Sequence, residues 1–258
     1  MKVITVCNAK GGCGKSTIAL SLAASLGRAK GNKVLVIDMD PQAQVSDWLR
    51  ASDGLNTKGT LTSVFMREER LQDIIKETNI NNVWIAPGSQ PLEMISHSMT
   101  EVDGYESLLA EFLDQLPNEF NYVVIDCPNQ ISPLMENAIV PTDVFVVPIE
   151  STKAVASYAN FFALVQKLRG DGNYRMLHVL NNITLQGVKK SVVRFMEQEE
   201  ISIAKTEIRN CGWLAQVDQH GGSIFAYRPN SKGASDIPLL QQEILSSIRQ
   251  TERRVANG

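Results

Sequence analysis

Three glycines and two lysines crowd into a short run near the N-terminus, Lys10-Gly11-Gly12-Cys13-Gly14-Lys15-Ser16-Thr17. Glycines at this density let the backbone curl tightly and turn successive N–H groups to one side. A curl of donors that ends in an ammonium group and two hydroxyls is built to hold phosphate. In such a loop Gly11, Gly12, Cys13, Gly14 and Thr17 line the cradle and Lys15 reaches the β- and γ-phosphates. The Ser16 hydroxyl is then placed to hold Mg2+. A helix beginning near Ser16 adds the positive end of its dipole to the same point. A Gly-rich turn alone is a weak signal, but here an apolar strand precedes it, the ending is Gly-Lys-Ser, and helical spacing follows. Together these read as the P-loop of an ATPase.

Carboxylates fall where such a loop needs them. One apolar run ends in Asp38-Met39-Asp40-Pro41-Gln42 and a later one in Val123-Val124-Ile125-Asp126-Cys127-Pro128. In a parallel sheet the C-terminal ends of strands gather on one edge, beside the P-loop. Asp126 suits a water-mediated contact to Mg2+, Asp40 can orient the attacking water, and Asp38 can support the metal or the loop.

The elements that must position these groups are legible as alternating short and long patterns. Val3–Cys7, Val34–Ile37, Val83–Ala86, Tyr122–Ile125, Val144–Val147 and Leu177–Leu180 are nearly continuous apolar runs, as expected of parallel strands buried on both faces. Between them lie helical patterns: Ser16–Lys30, Leu108–Leu116, Ala154–Leu168, Val188–Gln198 and Pro238–Arg254. Alternation of this kind predicts an α/β fold, a doubly wound and mostly parallel sheet flanked by helices. No repeat, low-complexity tract or linker interrupts it, so residues 1–258 read as one P-loop domain. The polar stretch 50–81 reads as an irregular connection with short helices.

Bulk properties narrow the class further. With 43% hydrophobic and 21% charged residues the chain belongs with globular proteins rather than disordered ones. No apolar stretch is long enough to span a bilayer, and Met1–Cys7 lacks the pattern of a secretory signal, so the cytoplasm is the expected compartment. Cys7, Cys13, Cys127 and Cys211 include no CxxC pair and His97, His178 and His220 show no ligand spacing; neither a disulfide framework nor a zinc site is expected. Trp48, Trp84 and Trp213 lack the aromatic neighbours of a base-stacking platform. The net charge is −3, yet residues 186–258 hold 10 Lys and Arg against 8 Asp and Glu, leaving −5 for the remainder.

Lys10 in the Lys10–Ser16 motif, the Asp38–Gln42 segment and Asp126-Cys127-Pro128 together resemble the ParA/MinD family of deviant Walker A ATPases, and the Asp38–Gln42 segment is more typical of its ParA/Soj branch. The resemblance runs over nearly the whole chain and takes in Thr206–Arg209, Gly221–Ile224 and Pro229–Ala234. Cys127 and Asn129 depart from it, standing where the family has Thr and Pro. It implies that Asn182 and Pro229 contact adenine, a role that suits an amide able to donate and accept at once. It also implies that Lys10, at the entrance of the loop, reaches across a face-to-face homodimer to the partner's phosphates, where it assists catalysis beside Lys15 and Asp40. ATP would then act as a dimerisation switch.

What the switch serves is read from the C-terminal third. Lys189, Lys190, Arg194, Arg209, Lys232, Arg249, Arg253 and Arg254 could pool across two subunits into a strip for non-specific DNA, with Arg209 and Lys232 as the named contacts. The resemblance then implies nucleoid association and a cargo, whether plasmid, chromosome origin or protein microcompartment, with a ParB-like or cargo-adaptor activator. The alternative is a MinD-like ATPase with a membrane-binding tail. The Leu240, Ile244, Leu245 and Ile248 stripe has no aromatic and is better explained by docking onto the domain, so no membrane partner is expected. A metal-cluster relative would need thiolates at a dimer axis, and Cys127 and Cys211 do not supply them.

Overall fold

The computed structural model describes residues 1–51, 57–170 and 172–256, with side chains to residue 250 in its last helix. Strand β1 (Lys2–Val6) leads through the Gly-rich loop into α1 (Lys15–Gly27), and β2 (Val34–Asp38) follows. The polar connection holds short helices, α2 (Gln44–Trp48), α3 (Leu61–Phe65) and α4 (Leu71–Ile74), and a two-residue strand, β3 (Lys76–Glu77). Then come β4 (Val83–Ala86), α5 (Leu92–Met99), α6 (Leu108–Asp114), β5 (Tyr122–Asp126), α7 (Pro133–Ile139) and β6 (Val144–Ile149). The chain continues through α8 (Thr152–Arg169), β7 (Arg175–Leu180), α9 (Gln186–Gln198) and α10 (Ile224–Tyr227) to α11 (Lys232–Ala256).

The strands form one sheet in the order β3-β4-β2-β5-β1-β6-β7, parallel throughout except for β3 at the edge. Alternate residues of each strand feed two apolar layers. Val3 and Cys7 of β1 and its exit face the layer under α6, α7 and α8, whereas Ile4 and Val6 face α1 and α11. Burial on both faces is why these strands are apolar without alternation. Leu20, Leu22 and Leu26 of α1 are fully buried, each stabilising the fold by roughly 1.5–3 kcal/mol relative to exposure.

All six expected strands and five expected helices are present. β3 and the helices α2, α5, α7 and α10 are additions to that reading. Helix α11 begins at Lys232, ahead of the expected Pro238, because the Ser231 hydroxyl accepts from the Ala234 N–H at 3.2 Å and starts the helix earlier. Its Leu240, Ile244 and Ile248 are buried against α1 and the sheet, with Leu245 packed beside them. Trp84, read as lacking aromatic neighbours, stands edge-on to Phe120 at 5.8 Å, a pairing between residues far apart in sequence.

Candidate active site

The loop between β1 and α1 is held open by its glycines. Gly12 and Gly14 have φ of 74° and 90°, backbone conformations that a side chain would strain. Gly14 is also pressed from outside: a Cβ there would lie 2.5 Å from Nδ2 of Asn181. That amide donates to the Cys13 carbonyl oxygen at 2.8 Å and so ties the loop to the end of β7. From Gly11 to Thr17 no backbone N–H has a backbone acceptor among the described residues, and that of Cys13 turns to its own thiol. A run of unpaired donors at the start of a thirteen-residue helix is the arrangement that binds a polyanion.

Lys15 is buried, and its Nζ turns back across the cradle to donate to the Lys10 carbonyl oxygen at 3.0 Å. Lys10 points the other way. Its ammonium forms an ion pair with Glu150, the residue that follows β6. The two lysines of the motif are therefore separated in position, one inside the loop and one held at its rim.

Opposite the loop the sheet brings two aspartates into register, Asp38 of β2 beside Asp126 of β5. Both are wholly buried. Asp38 Oδ2 accepts from the Ser46 N–H at 2.8 Å and from the Ser46 hydroxyl at 2.6 Å, and that hydroxyl oxygen accepts from the Gly88 N–H at 2.9 Å. Gly88 is required there, since a Cβ would meet the Asp38 carbonyl oxygen at 2.3 Å. Burial pushes the Asp38 carboxyl up to about 7 against these bonds. No hydrogen bond of full geometry reaches either oxygen of Asp126, although the Ser16 hydroxyl lies near the carboxyl. Burial raises its carboxyl well above the ordinary range and the neighbouring Asp38 adds to the rise, while the Ser16 hydroxyl and Lys15 offset part of it. Asp40 is half-buried and accepts from the Gln42 N–H at 2.9 Å. Burial lifts its carboxyl, and that N–H and the Lys15 charge pull it back.

These atoms fit a metal–nucleotide pair. Unpaired N–H groups line the loop, and unpaired acceptors collect across from it: Asp38 Oδ1, both oxygens of Asp126, and Glu150 Oε2. Buried orphan acceptors of this kind are costly unless a cation joins them. No three His, Cys, Asp or Glu side chains close into a metal cage among the described residues. That suits Mg2+, which keeps several waters and needs only one or two protein oxygens. Asp38 spends one oxygen on Ser46, so its visible work is to fix the loop after β2.

The remaining expected residues lie farther out. Asn182 is exposed with φ of 56°, and its Oδ1 accepts from Nδ2 of Asn210 at 2.5 Å. Pro229 is exposed after α10, next to Arg228, whose guanidinium caps the Trp213 ring at 3.9 Å. Arg209 is half-exposed but clamped by Asp236, with bonds of 2.7, 3.0 and 3.1 Å. Lys189 pairs with Glu207, whereas Lys190, Arg194, Lys232 and Arg249 are exposed with no ion pair among the described residues. The Arg253 and Arg254 side chains lie outside the described residues. Cys127 is buried in the core, and the Asn129 amide rests 3.3 Å from where a Gly11 Cβ would be.

Sequence reasoning missed Glu150, Asn181 and Ser46. Glu150 carried a readable signal, a carboxylate directly after an apolar strand, as at Asp126. Asn181 directly follows Leu180 in the same way.

A family model described as an AAA domain matches residues 1–179. The sporulation initiation inhibitor protein Soj of Bacillus subtilis is 26% identical over 256 residues, spanning 95% of this chain and 99% of that protein. The chromosome partitioning protein ParA of Myxococcus xanthus is 27% identical over 267 residues, spanning 99% of this chain and 92% of its own. Among solved structures, apo McdA from Cyanothece shares the fold with a TM-score of 0.80 at 20% identity, covering 97% of this chain and 99% of that one.

Proposed function

The chain belongs to the ParA/Soj-type branch of the P-loop ATPases, and from that premise we propose that its ATP-bound form is a homodimer that binds DNA without sequence preference and positions a cargo on it. ATP and Mg2+ are its cofactors. The observation that carries the switch is the placement of the two lysines. Lys15 lies within the cradle and neutralises the chain's own bound phosphates. Lys10 is drawn out of it to Glu150, at the rim, where a second subunit's phosphates can compete for it.

The remaining roles follow from position. The N–H groups of Gly11–Thr17 bind the phosphate oxygens, and Asn182 and Pro229 flank the adenine. Ser16 and Asp126 would hold the metal with its waters, Asp38 fixes the loop after β2 through Ser46, and Asp40 would orient the attacking water beside Lys15. Bound Mg2+ supplies charge neutralisation of the triphosphate. Lys232, with Lys190 and Arg194, supplies most of the positive surface for DNA, and Arg209 lends less because Asp236 clamps it. Dimerisation doubles the phosphates contacted, to which affinity responds steeply. The cargo is a plasmid, a chromosome origin or a protein microcompartment, met through a ParB-like or cargo-adaptor activator, and the ATP form sits on the nucleoid. Burial of Leu240, Ile244 and Ile248 supports this reading over a membrane-bound one, because the apolar stripe of α11 is already spent on the core. No helix among the described residues is long and apolar enough to cross a membrane.

Light scattering tests the switch. The wild-type mass should double with ATP and not with ADP, while Lys10→Ala should bind ATP and remain at the smaller mass. An ATP-dependent dimer that survives Lys10→Ala removes the proposed role of that lysine.

A further inference from the structure

The segment from Asp38 to Ser46 is a loop closed on itself. Asp38 ends β2, Ser46 lies in α2, and the Asp38 carboxylate joins the two. Its Oδ2 accepts from the Ser46 N–H at 2.8 Å and from the Ser46 hydroxyl at 2.6 Å, which fills both lone pairs of that oxygen. The Ser46 oxygen in turn accepts at 2.9 Å from the Gly88 N–H, a group that can only donate, so the hydroxyl hydrogen points to Asp38. Asp38 and Ser46 are both 0% exposed, and hydrogen bonds that water cannot reach are firm ones.

Asp40 is carried inside this loop. Just ahead of it the Met39 N–H donates to the Asp126 carbonyl oxygen at 2.9 Å. The Asp40 carbonyl oxygen accepts from the Ala43 N–H at 2.8 Å, and its Oδ1 accepts from the Gln42 N–H at 2.9 Å. Ala43 is buried with φ of 49° and ψ of 34°, a left-handed conformation that alanine disfavours. A residue stays so only where its surroundings over-determine it. Here Asp38 and Ser46 do so, because the turn at Ala43 is what brings α2 back to the end of β2.

We infer that Ser46 is a positioning residue for ATP hydrolysis, the clasp that keeps the loop in its strained shape and thereby fixes the Asp40 carboxylate. With the clasp open, Ala43 relaxes and Asp40 loses its place beside the attacking water. The inference rests on the reading of Asp40 as the residue that orients that water. Nucleotide binding belongs to the Gly11–Thr17 loop, outside the closed segment, so the clasp governs kcat and leaves KM alone.

The test is steady-state hydrolysis by full-length Ser46→Ala, Ser46→Thr and Ser46→Cys, with kcat expressed per molecule that binds a non-hydrolysable ATP analogue. Ser46→Ala should lower kcat roughly ten- to a hundredfold, the effect of a small misplacement at the reacting centre, with KM within about twofold of wild type. Ser46→Thr, which keeps the hydroxyl, should restore most of the rate. Ser46→Cys keeps the volume but weakens both bonds, and should follow Ala; it carries the comparison where the Ala variant does not fold. In an Asp40→Ala background, Ser46→Ala should cost less than about a further twofold, because the residue it positions is gone. Hydrogen exchange in the nucleotide-free protein should quicken at the amides of residues 39–46 in Ser46→Ala and not in Ser46→Thr. A wild-type kcat in both Ser46→Ala and Ser46→Cys overturns the inference, as does a loss that appears wholly in KM or persists undiminished in the Asp40→Ala background. Asp40→Ala alone separates the two readings. If it hydrolyses ATP at the normal rate, the role of Asp40 falls and the clasp with it; if it is slow while Ser46→Ala is normal, only the clasp falls.

Discussion

Replacing Asp38 with Asn should stabilise the nucleotide-free protein in alkaline buffer and change little in acid. Asp38 is wholly buried, and burial outweighs the two bonds from Ser46, pushing its carboxyl from an ordinary 3.8 up to about 7. A proton therefore binds the folded chain more tightly than the unfolded one. The stability it confers is fully present below about pH 3.8 and is lost as the pH rises through 7. At about 1.4 kcal/mol per unit, the whole interval is worth about 4 kcal/mol, more than half of it between pH 5 and pH 8. Asn keeps an oxygen for the Ser46 N–H and hydroxyl and cannot ionise. Asp126, its neighbour in register, also becomes easier to ionise once that charge is gone. Urea unfolding in magnesium-free buffer at the two pH values measures the effect. Wild type should weaken on going to the higher pH by roughly 2–3 kcal/mol more than the Asn variant does. Parallel pH profiles for the two proteins, or an Asn variant that is the weaker one at high pH, would refute the reasoning.

Other outcomes follow from the same geometry. Lys15→Ala should abolish ATP binding in calorimetry, since the phosphates lose the one ammonium inside the cradle. Asp40→Ala should bind ATP normally and hydrolyse it on the order of a hundredfold more slowly or worse, as measured by phosphate release, and should accumulate as the dimer. Lys232→Glu should weaken binding to unrelated duplexes uniformly, and flatten the log affinity against log salt slope by about 1 or more per subunit in anisotropy titrations. Arg209→Glu should instead lower the melting temperature, because Asp236, with a side chain only 4% exposed, then faces a second carboxylate in place of its partner.

The sheet was legible because parallel strands covered on both faces must be apolar at every position, and six such runs stand out from any helical pattern. β3 was not, since two polar residues, Lys76 and Glu77, carry no period and pair with β4 only because the chain returns beside it. Helix α7 has only seven residues, about two turns, too few to show a period, yet Ser132-Pro133 is a start signal: the serine oxygen accepts from the Met135 N–H at 3.4 Å and the proline fixes the first turn.

In the site, the residues that bind through local sequence were readable and those that act through distant partners were not. The P-loop declares itself because its chemistry depends on consecutive backbone groups. Glu150 lies 140 residues from Lys10, and Asn181 lies 168 residues from Cys13, so nothing near either lysine or glycine announces them. The basic strip shows the same limit in reverse. Arg209 and Lys232 look alike as sequence, but one is clamped by a carboxylate about one turn into α11 and the other joins no ion pair among the described residues. Their charges therefore cannot be counted equally toward a phosphate backbone. A DNA surface assigned by composition alone would weigh Arg209 and Lys189 with Lys190, Arg194 and Lys232. The pairing with Asp236 and Glu207 transfers the burden to the last three, and that is where charge reversal should be felt most in the salt slope.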